Sequence, residues 1–212
     1  MIFNTKWVGP VNPKIIFIQP PESKQYQGIK STFKIAPPTW AAILANETCL
    51  RSRKEINCKI LYPPQADMSP LFLEKCASAD ILGITDWFSC HQSAMEIAKY
   101  AKKINPEILI VIGGINAGFI ADRILRNHVN VDLVISGDGE DVVWRILKGY
   151  DFSTIPNLWY RKKTEALEFT HREKVNLNSI GLWDFNKSVD SVILQNYINA
   201  VNKNPFATAP AG

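Results

Sequence analysis

Five short apolar runs, rich in Ile, Leu and Val, recur along the chain and alternate with longer amphipathic stretches. The runs occupy residues 14–19, 58–62, 81–85, 108–112 and 131–135. Near-continuous β-branched runs of this length are typical of strands buried on both faces, as in a parallel sheet. The intervening stretches carry apolar residues at helical spacing, which predicts helices over residues 37–50, 70–77, 93–104, 117–127 and 141–147. The sequence therefore predicts five consecutive strand–helix units.

Consecutive units of this kind are joined by right-handed crossovers and build a sheet with helices on both faces. We expect an α/β fold of the doubly wound, flavodoxin-like or Rossmann-like kind, with a five-stranded parallel sheet in the order 2-1-3-4-5. The pattern changes after Gly149, where residues 157–161 and 168–171 predict a small hairpin. The 212 residues therefore divide into an α/β domain over residues 1–150 and a hairpin and connector over residues 151–212.

Charge and cysteine content argue against several classes of function. The formal net charge is +4, but the basic residues are scattered and are not interleaved with aromatics, unlike those of a nucleic-acid surface. No apolar stretch approaches the ~20 residues of a membrane span, and residues 1–14 lack the pattern of a secretory signal. The four cysteines form no C-x-x-C pair, which is typical of free thiols in a reducing compartment. We therefore expect a cytoplasmic protein that binds neither nucleic acid nor membrane.

Ligands of open parallel sheets bind at the carboxyl ends of the strands. The loops at that edge are residues 19–21, 62–67, 85–88, 113–116 and 137–140. Two of them carry two glycines each, which either let the backbone approach a ligand closely or merely make tight turns. The chain has neither G-x-G-x-x-G nor G-x-x-x-x-G-K-[ST]. Adjacent Trp87 and Phe88 suit a flat macrocycle, a domain interface or ordinary core packing. Asp138 and Glu140 are either an acid–base pair or groups that favour the N-terminus of the next helix.

Six segments, taken together and in order, are similar to a known family. They are residues 18–21 (IQPP), 37–40 (PPTW), 82–85 (LGIT), 111–117 (VIGGINA), 131–140 (VDLVISGDGE) and 155–161 (IPNLWYR, against the family's IPGLxYR). With this order and spacing, the chain resembles the cobalamin-binding domain at the N-terminus of B12-dependent radical SAM enzymes. The likeness extends over about residues 13–185.

The resemblance implies that the domain binds cobalamin at the edge of the sheet. Thr85 and Trp87 match the position of the Ser-x-Leu signature of cobalamin domains, and Gly113 and Gly114 match the double glycine. The residues expected to contact the corrin edge and the dimethylbenzimidazole tail are Gln19, Pro20, Thr85, Asp86, Trp87, Gly113, Gly114, Asn116, Gly137, Gly139 and Glu140. A Val in place of Gly114 is expected to project into the path of the tail.

The loop after the first strand departs from the pattern of mutases and methionine synthases, whose D-x-H-x-x-G motif supplies a His ligand to cobalt. This chain has Gln19 and two prolines there, so we expect cobalamin to bind base-off, with no protein side chain below the metal. His91, beside Cys90, either faces the corrin or lies partly solvated in the first turn of the next helix. No residue of the chain is predicted to be catalytic or to ligate a metal.

Radical SAM enzymes hold a [4Fe–4S] cluster on C-x-x-x-C-x-x-C, a motif that this chain lacks. The resemblance implies that the cluster and S-adenosylmethionine bind a radical SAM barrel, present in cis or as a separate chain. We expect the 212 residues to be a fragment or a split-gene product that catalyses nothing alone. The complete enzyme is expected to be of the methyltransferase or cyclase type.

Two other classes of function stay open at this point. One is a non-catalytic interaction or scaffold domain that has kept the fold and lost the ligand, which the missing His favours. The other is a nucleotide- or sugar-binding α/β domain, which the absent phosphate loop disfavours.

Overall fold

The computed structural model describes residues 5–26, 39–52, 56–62, 67–174 and 176. In this part of the chain the strands are β1 (Lys14–Ile18), β2 (Asn57–Leu61), β3 (Ile81–Thr85), β4 (Leu109–Gly113), β5 (Leu133–Ile135), β6 (Leu158–Arg161) and β7 (Leu167–Phe169). The helices are α1 (Thr39–Ser52), α2 (Pro70–Ala77), α3 (His91–Ile104), α4 (Ile115–Asn127) and α5 (Val142–Leu147). The helix predicted over residues 70–77 and the strand predicted over residues 81–85 are confirmed to the residue, and the other elements differ from their predicted bounds by one or two positions at one or both ends.

One sheet contains all seven strands, in the order β2-β1-β3-β4-β5-β6-β7. The first five strands are parallel, which confirms the predicted order 2-1-3-4-5. The prediction of a five-stranded, wholly parallel sheet with a separate hairpin is wrong, because β6 and β7 extend the same sheet in antiparallel fashion. The reason is that β5 would otherwise expose unpaired backbone groups at an edge, and β6 covers that edge with buried Leu158 and Tyr160.

Helices cover both faces of the sheet, and each face has its own apolar core. On one face α2, α3 and α4 pack over buried strand residues, among them Ile16, Ile18, Leu82, Ile84, Ile110 and Ile112. On the other face α1 and α5 pack over Ile15, Phe17, Ile81, Val111, Leu133 and Ile135. Strand side chains alternate between faces, so odd-numbered residues of β1, β3, β4 and β5 point toward α1 and α5. That alternation determines which side chains reach the site described below.

Local sequence explains where the helices begin. Pro70 occupies the first turn of α2, and the Ser69 hydroxyl accepts a hydrogen bond from the Phe72 N–H at 3.2 Å. α4 begins directly after Gly114, two residues before the predicted start, because that glycine turns the chain sharply at φ +104°. Within the described residues, no helix is long and apolar enough to cross a membrane. The predicted connector lies mostly outside the described residues.

Candidate ligand-binding site

A cavity of about 260 Å³ lies between the sheet and helices α1 and α5, at the carboxyl ends of the strands. The apolar residues that line it are Phe17, Trp40, Leu44, Ile81, Ile84, Val111, Ile115, Ile135, Val143 and Ile146, of which Ile84 has its side chain in the core on the opposite face of the sheet. The remaining lining comes from the strand-end loops and from one strand glycine: Gly83, Thr85, Trp87, Gly113, Gly114, Gly137, Asp138, Gly139 and Glu140. Seven residues predicted from the sequence to bind cofactor therefore lie together around this cavity.

Two glycines of the sheet line the cavity, one covered by an aromatic ring and one open. Gly83 and Gly113 lie on adjacent strands of the sheet, and both are on the α1/α5 side. A Cβ on Gly83 would lie 2.6 Å from the Phe17 ring, so this glycine makes room for the ring. A Cβ on Gly113 would meet only the Ile135 Cβ, at 3.9 Å. Gly83 was not among the predicted site residues, although a glycine inside an apolar strand is a signal of close approach by another group.

Trp40 forms the helix side of the cavity and was likewise not predicted. Its ring packs edge-to-face on Phe17, with centroids 6.3 Å apart and an interplanar angle of 83°. Its indole N–H is buried and has no acceptor among the described residues. Because a buried donor without a partner costs free energy, this N–H is suited to an acceptor supplied by a ligand.

Gly114 lines the cavity for a different reason than the sequence suggested. Its φ of +104° is a backbone conformation that residues with a side chain rarely adopt. A Cβ there would lie 2.8 Å from both the carbonyl oxygen of Asp86 and the Oγ1 of Thr85. A side chain at Gly114 would therefore collide with the protein itself before it reached a ligand.

Asp86 and Asn116 lie outside the cavity lining and form a cluster with His91. The Asp86 carboxylate is fully buried and accepts hydrogen bonds from His91 Nδ1 and Asn116 Nδ2, each at 2.9 Å to Oδ2. The backbone N–H of Asn116 also donates to the Asp86 carbonyl, at 3.2 Å. The cluster ties the end of β3 to the first turns of α3 and α4. A direct role of Asp86 and Asn116 in cofactor binding stays a prediction.

The Asp86 carboxylate hydrogen-bonds His91 and raises the pKa of His91 above its usual value of 6.5, against the opposing effect of burial. The pair stabilises the fold fully below the pKa of unfolded His, near 6.5, and this contribution is lost as pH rises through the higher folded pKa. The other titratable group facing His91 is His128, whose ring centroid is 6.1 Å away and whose own pKa is lowered by burial and by His91.

We expect the stability difference between the wild type and His91→Asn to be larger at pH 6 than at pH 9, because Asn keeps an N–H donor but does not titrate. Urea unfolding at the two pH values measures this difference. An equal difference at both values would contradict the assignment of a charged His91–Asp86 pair.

The loop of residues 137–140 forms the acidic side of the cavity. Burial raises the pKa of Glu140, and the nearby Asp138 and Glu47 raise it further. The N-cap position of α5 is held by Asp141 rather than by either predicted acid. The Asp141 carboxylate accepts from Trp144 Nε1 at 3.0 Å and also pairs with Arg51 and Arg145.

The loop after β1 and several exposed apolar side chains lie beside the cavity at the same edge of the sheet. Gln19 is half-buried and Pro20 buried; both lie outside the lining, and the Gln19 N–H donates to the Leu61 carbonyl at 2.9 Å. Several large apolar side chains are exposed at the same carboxyl edge: Trp87 at 46%, Phe88 at 71%, Ile115 at 60% and, on the same face of α4, Phe119 at 83%. We call these four residues the apolar rim.

The described residues favour neither a nucleophilic thiol at Cys90 nor a metal-binding cluster. Burial raises the pKa of the Cys90 thiol to about 11, so it is not a nucleophile beside His91 at neutral pH. The part of the chain covered by the structure contains no group of three or more His, Cys, Asp or Glu side chains arranged to hold a metal ion.

The fold is that of a flavodoxin-like α/β domain with a cavity at its carboxyl edge. No family model matches the chain. It is 29% identical over 156 residues to an uncharacterized methyltransferase, PH0819, of Pyrococcus horikoshii. This alignment covers 70% of this chain and 33% of the relative. It is 28% identical over 118 residues to the anaerobic magnesium-protoporphyrin IX monomethyl ester cyclase of Rubrivivax gelatinosus, which covers 54% of this chain and 21% of the cyclase.

Among solved structures, the chain is similar to the cobalamin-dependent S-adenosylmethionine radical enzyme OxsB with aqua-cobalamin and S-adenosylmethionine bound. The TM-score is 0.65 at 14% identity, over 89% of this chain and 25% of OxsB, so this likeness shows the fold. The chain thus spans a third or less of the relatives it matches. Taken together, the comparisons confirm the sequence resemblance to the cobalamin-binding domain of B12-dependent radical SAM proteins.

Proposed function

We propose that this chain is a cobalamin-binding domain and that the nucleotide tail of the cofactor occupies the cavity beneath α1 and α5. The observation that carries the proposal is the cavity's position and shape: it opens at the carboxyl edge of a parallel sheet, where Gly113 leaves the backbone bare and the Phe17 ring packs over Gly83. A flat group can lie against the backbone at Gly113, where any other residue would place a Cβ.

The residues around the cavity fit the chemistry of that tail. A dimethylbenzimidazole ring is flat and apolar, and the aromatic side chains of Phe17 and Trp40, with the aliphatic walls, bury such a ring favourably. The Trp40 N–H, which lacks an acceptor among the described residues, suits a ring nitrogen or a ribose oxygen. The walls exclude water from the bound ring, and α1 and α5 hold it from one side.

The apolar rim fits the other part of the cofactor. Trp87 and Ile115 line the cavity and are also exposed at the carboxyl edge, so they continue the apolar surface from the cavity outward. Contiguous exposed aromatic side chains on a folded domain mark a surface that a ligand or another domain covers. We assign this rim to the edge of the corrin. Bound cobalamin would supply a cobalt centre for methyl transfer or radical chemistry.

We propose that cobalamin binds base-off, with no protein side chain below the cobalt. The loop after β1 offers Gln19 and prolines in place of a His, and His91 and its partner Asp86 both lie outside the cavity lining. Replacement of His91 by Ala is therefore expected to leave the visible spectrum of the bound corrinoid unchanged. A shift of the spectrum in this variant, measured beside the wild type at one pH, would show that His91 faces the cobalt.

The test of the proposed function is incubation of the purified chain with hydroxocobalamin, gel filtration, and a visible spectrum of the protein peak. We expect corrinoid to elute with the protein and to show a base-off spectrum. Cobinamide, which lacks the nucleotide tail, is the matched ligand, and we expect it to be retained more weakly. A protein peak free of corrinoid would instead favour a non-catalytic interaction domain that uses the apolar rim for a protein partner.

We further propose that the domain works with a radical SAM domain, in cis or as a separate chain, in an enzyme of the methyltransferase or cyclase type. The names and greater lengths of the relatives support this assignment. In that arrangement the [4Fe–4S] cluster and S-adenosylmethionine belong to the radical SAM domain, because this sequence has no C-x-x-x-C-x-x-C.

A further inference from the structure

Asn157 occupies an unusual position immediately before β6. It is only 3% exposed, and its φ of +61° lies in the left-handed region, which Asn tolerates better than most residues. A buried polar side chain needs hydrogen-bond partners. The partners of Asn157 lie in two other segments of the chain, one before β6 and one after β7.

The Asn157 amide pairs with the backbone of Glu173, beyond β7. Its Nδ2 donates to the Glu173 carbonyl at 2.8 Å, and its Oδ1 accepts from the Glu173 N–H at 3.0 Å. This is the reciprocal pattern that two peptide groups make across a sheet, here made by a side chain. The Asn157 N–H donates to the His171 carbonyl at 2.8 Å, which holds the same segment a second time.

The same residue also holds the loop of residues 137–140, which forms one side of the cavity. The Asn157 carbonyl accepts from the Ser136 N–H at 2.8 Å, and Nδ2 makes a longer contact of 3.4 Å with the Asp138 carbonyl. A Cβ on Gly137 would lie 3.2 Å from the amide carbon of Asn157, so the amide packs directly over this glycine. Asn157 thus lies between the cavity loop and the segment of residues 171–173.

We propose that Asn157 is a positioning residue that holds the cavity loop in its ligand-binding conformation and couples this loop to residues 171–173. This inference rests on the proposed function, because the ligand is taken to be the cobalamin tail. It adds to that function a physical connection between the occupied cavity and the chain that leaves the hairpin. Ligand binding and the path of residues 171–173 then bias each other, since coupling between two sites is reciprocal.

The test compares Asn157→Gly with Asn105→Gly. Glycine accepts the φ of residue 157 without strain, so the first variant removes only the amide. Asn105 lies at the amino edge of the sheet, where its Nδ2 donates to the carbonyls of Ala77 and Ala79 at 3.1 and 3.2 Å. Its replacement removes a comparable amide far from the cavity and serves as the matched control.

We expect Asn157→Gly to weaken hydroxocobalamin binding about tenfold, measured by spectral titration, and Asn105→Gly to change it less than about twofold. Hydrogen exchange in the ligand-free protein should rise at residues 136–140 and 171–173 in the first variant only. Urea unfolding should show a similar loss of stability in both variants. Asn157→Asp keeps the acceptor for the Glu173 N–H but places a buried carboxylate oxygen against the Glu173 and Asp138 carbonyls, so it should weaken binding at least as much as the glycine variant.

The outcomes separate the two proposals. If the wild type binds hydroxocobalamin and Asn157→Gly binds it equally well, this inference is overturned and the proposed function stands. If the wild type binds no corrinoid, both are overturned. If Asn157→Gly does not fold, hydrogen exchange of the wild type decides: residues 171–173 should exchange more slowly when hydroxocobalamin is bound, and unchanged exchange there would overturn the inference.

Discussion

Gly113→Leu is expected to abolish retention of cobalamin while leaving the domain folded. A Cβ at this position has open space ahead of it, with the Ile135 Cβ at 3.9 Å as its nearest neighbour. The remaining carbons of a Leu side chain extend into the cavity of about 260 Å³, where the tail is proposed to lie. A buried apolar side chain in an apolar cavity is compatible with the fold, and cavity filling often stabilises a protein. We expect affinity to fall by about 100-fold or more.

Spectral titration with hydroxocobalamin measures this loss, and urea unfolding of the same samples shows that the fold is intact. Gly118→Ala is the matched control, because its Cβ would meet Ser136 Oγ at an ordinary 3.6 Å, outside the cavity lining. Unchanged affinity in a folded Gly113→Leu protein would contradict the placement of the tail in this cavity. Loss of affinity for cobalamin but not for cobinamide would support the proposed placement most directly.

Gly114→Ala is expected to have the opposite profile, with a large loss of stability. The φ of +104° and ψ of 169° belong to a region that only glycine populates readily, and a Cβ would also lie 2.8 Å from the Asp86 carbonyl. Strain of this kind costs about 1–3 kcal/mol, and overpacking against backbone adds a similar amount, so we expect about 2–6 kcal/mol in all. Domains of this size are stabilised by only about 5–15 kcal/mol. The variant therefore loses a large share of its stability.

The measurement is the free energy of unfolding from urea titration at one pH, again with Gly118→Ala as the control. The slope of the unfolding free energy against urea concentration distinguishes a loss of native-state stability from a change in the unfolded state. A Gly114→Ala protein as stable as the wild type would mean that β4 and α4 are joined by a different turn. Adjacent glycines thus separate two effects: Gly113 is needed for the ligand and Gly114 for the fold.

The parallel core of the fold was predictable because its signal is local. A β-branched run such as residues 108–112 cannot be buried on both faces outside a covered sheet. The position of the hairpin was not predictable, because its alternating pattern fits a free hairpin as well as the edge of a larger sheet. Only the pairing of Leu158 with Ile135 and of Tyr160 with Leu133 decides between the two.

The site shows the same division between local and non-local signals. Loop glycines such as Gly113 and Gly137 were identified because strand ends are known ligand positions. Phe17, Gly83 and Trp40 were missed because their role arises from register across strands and from the packing of α1. Thr85 and Asp86 were predicted together, yet consecutive strand residues point to opposite faces, so Thr85 lines the cavity and Asp86 joins the His91 cluster.

The two layers of the domain have unequal packing, and this has a consequence for folding. The layer of α2, α3 and α4 has a continuous core of its own, whereas the layer of α1 and α5 encloses the cavity. A ligand in that cavity would act as an additional core side chain for α1 and α5 alone. Because a ligand stabilises only the states in which its site is formed, the opening of this layer should become rarer on binding while that of the other layer changes less. The cofactor would then be part of the hydrophobic core of one half of the domain.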